Sequence, residues 1–197
     1  RLVITEIFKF DKITKVQNIV INEFLKNKDV IVKSVTGSGK TLSYIIPIIQ
    51  RLINYSKENS AYQKEILVLI LVPARELAEQ VYTEITKFIS NIKYSFNAQV
   101  LIGGKKLEDD ITKIREQVPN IIIATPGRLT DIQEKEKLSF SNLEILILDE
   151  ADKMLDMGFE MAVTNIISKL PKQRRTGLFS ATVTSNVESL IKAGMRN

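Results

Sequence analysis

Short runs of aliphatic and β-branched residues alternate along the chain with longer stretches whose apolar positions follow a helical period. The first kind covers residues 29–35, 65–72, 98–102, 120–124, 143–148 and 176–179, and the second covers 39–55, 75–90, 106–117, 126–133, 160–170 and 185–193. Short continuous apolar runs suit strands buried on both faces, and the intervening helical stretches supply the crossovers that parallel strands need. The pattern therefore predicts an α/β protein: six strands with right-handed crossovers in one doubly wound sheet between two helical layers. A further helix is expected over 16–25. The polar stretch 56–64 and the charged stretch 133–137 read as surface connections, and "DMGF" at 156–159 as a bend between helical segments with Phe159 packed inward. No repeat, low-complexity tract or domain boundary interrupts the alternation. In open sheets of this kind ligands gather beyond the carboxyl ends of the strands, so the loops that follow each strand are where chemistry is expected.

Composition narrows that chemistry. At 197 residues with 44% apolar content the chain can bury one good-sized core. Its longest apolar runs, such as 66–72 and 143–148, are too short to span a bilayer, and the opening residues lack the apolar block of a signal peptide. A soluble protein with no membrane partner is expected. There is no cysteine, which removes disulfides and thiolate metal sites and fits an intracellular location. There is no histidine, which removes the commonest general base, the commonest zinc ligand and every imidazole-based triad. Chemistry is left to carboxylates, lysine, arginine and hydroxyls. The excess of 28 basic over 23 acidic residues gives a charge of +5, a modest bias towards polyanions. The chain begins at Arg1 and stops just after an apparent helix, as an excised piece of a longer protein would.

Two stretches carry the strongest signal. "SVTGSGKT", residues 34–41, follows the apolar run "DVIVKSV" and precedes a helix, which is the setting of a phosphate-binding loop. Glycines let successive backbone N–H groups turn inward, the helix N-terminus adds partial positive charge, Lys40 can reach the β and γ phosphates, and the Thr41 hydroxyl can hold Mg²⁺. The usual pattern G-x-x-x-x-G-K-[ST] has glycine where this chain has Ser34, a place that needs only a small residue; a glycine-rich turn with a solvated lysine is the plainer alternative. The second stretch, "LEILILDEAD" at 143–152, ends an apolar strand in Asp149 and Glu150. A magnesium triphosphate needs an acid for the ion's water shell, a role suited to Asp149, and hydrolysis needs a base near the attacking water, a role suited to Glu150. An Asp-Glu pair also favours a helix macrodipole without any further purpose.

The residues Asp149-Glu150-Ala151-Asp152 spell the name of the DEAD-box ATP-dependent RNA helicases, and the chain resembles the first of their two RecA-like domains over essentially its whole length. "FDKITKVQ", "SVTGSGKT", "PARELAEQ", Gly103-Gly104, "TPGR", "DEAD" and "SAT" occur in the family's order. The resemblance implies a RecA-like three-layer α/β/α sandwich with a mostly parallel central sheet. It implies one N-terminal ATP-binding domain over 1–197, with the C-terminal RecA-like domain outside the chain. Small residues are common in that family at the position of Ser34. Around ATP it places Phe10, Thr14 and Gln17 at the adenine, and Thr36, Gly37, Ser38, Gly39, Lys40, Thr41 and Leu42 at the loop. An amide suits adenine because it both donates and accepts. Departures occur here: Lys15 stands where proline is usual, Lys9 replaces the glycine before Phe10, and Ala74 replaces a threonine.

For RNA the resemblance points to Arg75, Gly103, Gly104, Thr125 and Arg128 as a track along the sugar-phosphate backbone that reads no bases. Plainer readings stand beside it. Arg75 could pair with Glu76 or Glu79, Thr125 and Pro126 suit a helix start, and the glycine pair could be an ordinary turn. The hydroxyls of Ser180 and Thr182 are implied to tie to Asp152 and couple the nucleotide site to strand separation. In this family the arginines that steady the transferred phosphate belong to the second domain. Finally, "PKQRRTGLFSAT" followed by "LIKAGMRN" resembles the subgroup that acts in assembly of the large ribosomal subunit, implying pre-ribosomal particles as partners and a nucleolar site. A DNA helicase and a nucleotide-binding RNA scaffold without turnover are the rival readings.

Overall fold

The computed structural model describes residues 13–34 and 39–196. Six strands form one sheet: β1 (Val30–Lys33), β2 (Val68–Leu71), β3 (Ala98–Leu101), β4 (Ile121–Ala124), β5 (Ile145–Leu148) and β6 (Arg175–Ser180). Their order across the sheet is β1-β6-β5-β2-β4-β3, and every pairing is parallel. The helices are α1 (Lys15–Leu25), α2 (Lys40–Glu58), α3 (Arg75–Ile89), α4 (Leu107–Glu116), α5 (Pro126–Lys135), α6 (Ala151–Asp156), α7 (Glu160–Ser168) and α8 (Ser185–Gly194).

The central strands β2, β4 and β5 are buried along their whole length, as their unbroken apolar sequences require. Alternate residues feed two separate cores. Val68 and Ile70 join Phe24, Tyr44, Ile45, Ile48 and Phe88 beneath α1, α2 and α3. Leu69 and Leu71 join Ile111, Leu129, Ile132, Met154 and Ile166 beneath α4 to α8. The architecture is the expected three-layer α/β sandwich, with the sheet wholly parallel.

Two local features differ from the sequence pattern, and a third, the bend at 156–159, follows it. The second helix continues to Glu58 rather than stopping at Tyr55. Arg51 donates to Glu144 at 2.8 Å and pairs with Glu58 at 3.6 Å, so charged residues hold the added turn that apolar periodicity does not mark. A short 3₁₀ turn, Tyr62–Lys64, then shortens the loop further. Between β5 and α7 the short helix α6 is followed by Gly158 at φ +82°, and this bend half-buries Phe159 against the second core. Among the described residues no helix is long and apolar enough to cross a membrane.

Gly177 in β6 faces Ile147 of β5 and Phe24 of α1: a Cβ there would sit 3.0 Å from Ile147 Cδ1 and from Phe179 Cε2, and 3.2 Å from Phe24 Cε2. Gly177→Ala is expected to destabilise the fold by about 1–3 kcal/mol through overpacking, read as a lowered urea midpoint with unchanged slope.

Candidate functional site

Because all six strands run the same way, the loops after them emerge on one edge of the sheet. Phe10, Thr36, Gly37 and Ser38 lie outside the described residues. Gly39 adopts φ +82°, a left-handed conformation that glycine takes without strain, and serves as the N-cap of α2. A Cβ there would lie 2.6 Å from Gln17 Nε2. Gln17 thereby reaches the loop from α1, donating to the Gly39 carbonyl at 3.3 Å, while its Oε1 accepts from Thr14 N–H at 2.9 Å. With Gln17 N–H donating to Thr14 Oγ1 at 3.2 Å, the pair forms a reciprocal capping box that starts α1 without the usual proline. Two of the three residues expected at the adenine thus fix the helix that lies against Gly39.

Lys40 is buried, and its Nζ donates to the Ser34 carbonyl at 2.8 Å across the loop. Four residues further along α2, fully buried Tyr44 donates its hydroxyl to Asp149 Oδ2 at 2.8 Å. The Thr41 side chain also interacts with this hydroxyl, whose own pKa is raised well above the usual phenol value by burial and by the neighbouring Asp149 charge. Asp149 is only 3% exposed. Burial pushes its carboxyl above the ordinary aspartate range, opposed by the Tyr44 hydrogen bond and the Lys40 charge. Ser34, Gly39, Lys40, Thr41 and Asp149 therefore converge at one rim. Leu42, in the first turn of α2, packs on the first core.

Glu150 follows in a left-handed conformation, φ +51° and ψ +50°, which costs a non-glycine residue roughly 1–3 kcal/mol and is characteristic of functional positions. Its carboxylate pairs with Lys153 at 2.9 Å, and its N–H donates to Asp149 Oδ1 at 3.0 Å. Asp152, in the first turn of α6, accepts at Oδ2 from Thr182 Oγ1 (3.0 Å), Thr182 N–H (2.9 Å) and Ala181 N–H (3.1 Å). Ser180 Oγ accepts from Asp152 N–H at 3.3 Å and donates to the Thr182 carbonyl at 2.6 Å. The Asp152, Ser180 and Thr182 set expected from the motifs is thus joined by hydrogen bonds.

Among the described residues no three carboxylates gather into a metal cage. Thr41 and Asp149 instead fit an ion held chiefly by phosphate oxygens and water, the usual way of binding Mg²⁺: one buried acid, already oriented by Tyr44, beside a hydroxyl and a lysine.

A second cleft, of about 490 Å³, is lined by Arg75, Gly103, Thr125, Gly127, Arg128 and Phe159. Arg75 makes no ion pair among the described residues; neither Glu76 nor Glu79 holds it, and its guanidinium lies against Gly103 and Gly104. Gly104 has φ +92°, and a Cβ there would collide with Arg75 Nη1. Thr125 occupies the N-cap of α5 and Pro126 its first turn, although the Thr125 hydroxyl makes no capping bond. Arg128 departs from its expected outward role. Its Nε and Nη2 donate to Asp110 Oδ2 at 2.9 and 2.8 Å, and Nη2 also donates to the Lys105 and Lys106 carbonyls at 3.0 and 2.9 Å. With side chains 8% and 4% exposed, this is a buried ion pair that fastens the loop after β3 to α5. Sequence reasoning missed Asp110, one of three acids opening a helix (108–110), a pattern that a macrodipole preference alone would account for. It also missed Tyr44, an aromatic on an apolar helix face.

The wholly parallel sheet between two helical layers, with the strand-end cluster and the glycine-backed cleft on its loop edge, is the architecture of a RecA-like domain. The DEAD/DEAH box helicase family model matches residues 14–190, and the chain belongs to that family. It is 47% identical over 189 residues to the DEAD-box ATP-dependent RNA helicase 18 of Arabidopsis thaliana, covering 95% of this chain and 32% of that protein. It is 45% identical over 194 residues to the ATP-dependent RNA helicase DDX55 of Gallus gallus, again covering 95% and 32%. Among solved structures, a DEAD box protein from the hyperthermophile Methanococcus jannaschii superposes with a TM-score of 0.87 at 34% identity, over 99% of this chain and 50% of that one. The yeast DEAD-box splicing factor Prp28 also gives 0.87, at 33% identity over 99% and 47%. The chain thus spans about a third of the length of the curated relatives it matches.

Asp110→Ala, which strands the Arg128 guanidinium in a buried site, is expected to lower unfolding free energy by about 3–5 kcal/mol in denaturant titration. Asp152 is expected to shape the acid limb of stability. Burial alone would raise its pKa, but the hydrogen bonds from Thr182 N–H, Thr182 Oγ1 and Lys153 N–H prevail and hold it below the ordinary aspartate value. Its stabilisation is therefore present above that ordinary value and lost as pH falls through it to the lower folded value. Urea midpoints measured from neutral pH downwards should fall less steeply in that window for Asp152→Asn than for the parent.

Proposed function

We propose that this chain is the first RecA-like domain of an ATP-dependent RNA helicase: it binds ATP and RNA, and with a second RecA-like domain it couples hydrolysis to local separation of RNA strands. The observation that carries the reading is the continuous set of contacts along one sheet edge. It runs from Gln17 on Gly39, through Lys40 on Ser34 and Tyr44 on Asp149, to Asp152 on Thr182.

In this reading Gln17 turns its amide to the adenine and Lys40 leaves the Ser34 carbonyl for the phosphates. Thr41 and Asp149 hold Mg²⁺, which when bound neutralises charge on the β and γ phosphates. Glu150 accepts the proton of the attacking water; its left-handed backbone sets the direction of its carboxylate, and Lys153 pairs with it in the absence of substrate. Arg75, lying on the paired glycines, offers its guanidinium to the RNA backbone, and close approach to Gly103, Gly104 and Gly127 needs no bases to be read. Arg128 acts mainly by holding that loop in place. Asp152, Ser180 and Thr182 carry changes at the nucleotide to β6.

The arginines that would steady the transferred phosphate lie in the second domain of such proteins. Loss of such a group lowers phosphoryl-transfer rates by about 10³–10⁵, so the chain alone should hydrolyse ATP barely at all. A scaffold without turnover is disfavoured by the presence of Lys40, Asp149 and Glu150 together. The narrower assignment, to large ribosomal subunit assembly in the nucleolus, is supported by the stretches 171–182 and 190–197 and is part of the proposal.

The test uses the chain joined to its natural continuation. ATP hydrolysis should be stimulated by single-stranded RNA and much less by DNA of equal sequence, because 2′-hydroxyl contacts distinguish the two. Glu150→Gln should lower RNA-stimulated phosphate release by about 10²–10⁴ while RNA binding is retained. An unchanged rate would remove Glu150 from its catalytic role, and equal stimulation by DNA would favour a DNA helicase.

A further inference from the structure

Tyr44 is fully buried in the first core, where a phenylalanine would fill the same space without placing a hydroxyl among aliphatic side chains. Its ring meets Phe179 of β6 edge-on, with centroids 5.1 Å apart and planes at 63°, one residue before Ser180. A ring packed in that way is locked in its rotamer, so its hydroxyl has a fixed place. That place lies between the two groups assigned above to Mg²⁺. The phenol gives its hydrogen to Asp149 Oδ2 at 2.8 Å, and the Thr41 side chain meets the same hydroxyl. A phenol has one hydrogen, so Thr41 is the donor at the second contact. The hydrogen bonds thus run in one direction, from Thr41 through Tyr44 to Asp149.

A hydroxyl that coordinates a cation must turn its hydrogen away and its lone pairs towards the ion, and Tyr44 supplies the acceptor that turns the Thr41 hydrogen aside. The Asp149 carboxylate is oriented at the same time: Tyr44 holds Oδ2 while Glu150 N–H holds Oδ1 at 3.0 Å. Resting on the reading of Thr41 and Asp149 as the magnesium groups, we propose that Tyr44 is a positioning residue for that ion, its hydroxyl setting the Thr41 lone pairs and the Asp149 carboxylate in one fixed relative geometry. The consequence is discrimination between ions. Mg²⁺ demands near-ideal octahedral geometry at short distances, whereas Ca²⁺ accepts a variable number of oxygens in a looser arrangement. Loss of the hydroxyl therefore penalises the exacting ion and largely spares the tolerant one. A hydroxyl that served only to satisfy a buried acid would, when lost, affect both ions alike.

The test uses the chain joined to its natural continuation and a fluorescent, non-hydrolysable ATP analogue, titrated in the presence of Mg²⁺, Ca²⁺ or EDTA. Tyr44→Phe should weaken Mg²⁺-dependent binding of the analogue about tenfold, the size of one lost hydrogen bond to a charged group, and Ca²⁺-dependent binding about twofold or less. In EDTA the parent and the variant should bind the analogue alike. Phe179→Leu keeps the hydroxyl but loosens the ring that holds it, and should shift the Mg²⁺ dependence in the same direction by about threefold. It carries the same comparison of ions should Tyr44→Phe fail to fold. Equal weakening with both ions, or no change with either, would overturn the proposal while leaving the assignment of Thr41 and Asp149 intact. Binding by the parent that is indifferent to Mg²⁺ would overturn that assignment, and the role of Tyr44 with it.

Discussion

A strand covered on both faces has only its ends and, at the margin of the sheet, one flank to present to anything else. β2, β4 and β5 are in that position, and the parallel pairing places all their carboxyl ends on one rim. Arg75, Gly103, Gly104, Thr125, Asp149 and Glu150 each follow the carboxyl end of a strand within a few residues. The described loops begin at strand ends whose register is fixed by two apolar cores on opposite faces.

Three aspartates show how such a rim can hold charge. Asp149 remains buried with a phenol hydroxyl and a lysine nearby, and burial still prevails in its titration. Asp152 is surrounded by main-chain and hydroxyl donors, which prevail over burial. Asp110 takes a full counter-ion in Arg128. The first is left suited to accept a further cation, the second is satisfied by its own loop, and the third is structural. Similar side chains at similar depth differ in role because their partners differ.

Much of this was legible in the chain. The unbroken aliphatic runs identified the parallel strands, and the glycine loop and Asp149-Glu150 pointed to the rim proposed here for nucleotide, because phosphate and Mg²⁺ binding demand particular residues at fixed local spacing. What escaped involves pairs distant in sequence. Tyr44 and Asp149 are 105 residues apart, and Arg128 and Asp110 are 18 apart on different helices, so nothing local announces either bond. Arg128 therefore read as an RNA contact when most of its donors are internal. Arg75 was legible as a free guanidinium, yet its bed on Gly103 and Gly104 was not, since van der Waals fit leaves no periodic trace. The end of α2 escaped because ion pairs, rather than apolar spacing, hold its last turn.

The contact between Gln17 and Gly39 has an evolutionary corollary. Any side chain at 39 would collide with the glutamine amide and also force the backbone out of its left-handed turn. A shorter residue at 17 would free that space without relieving the torsional demand. The two sites are therefore coupled unequally: drift at the glutamine is conceivable, whereas the glycine is held by two independent penalties and should be the more immutable member across descendants of this lineage.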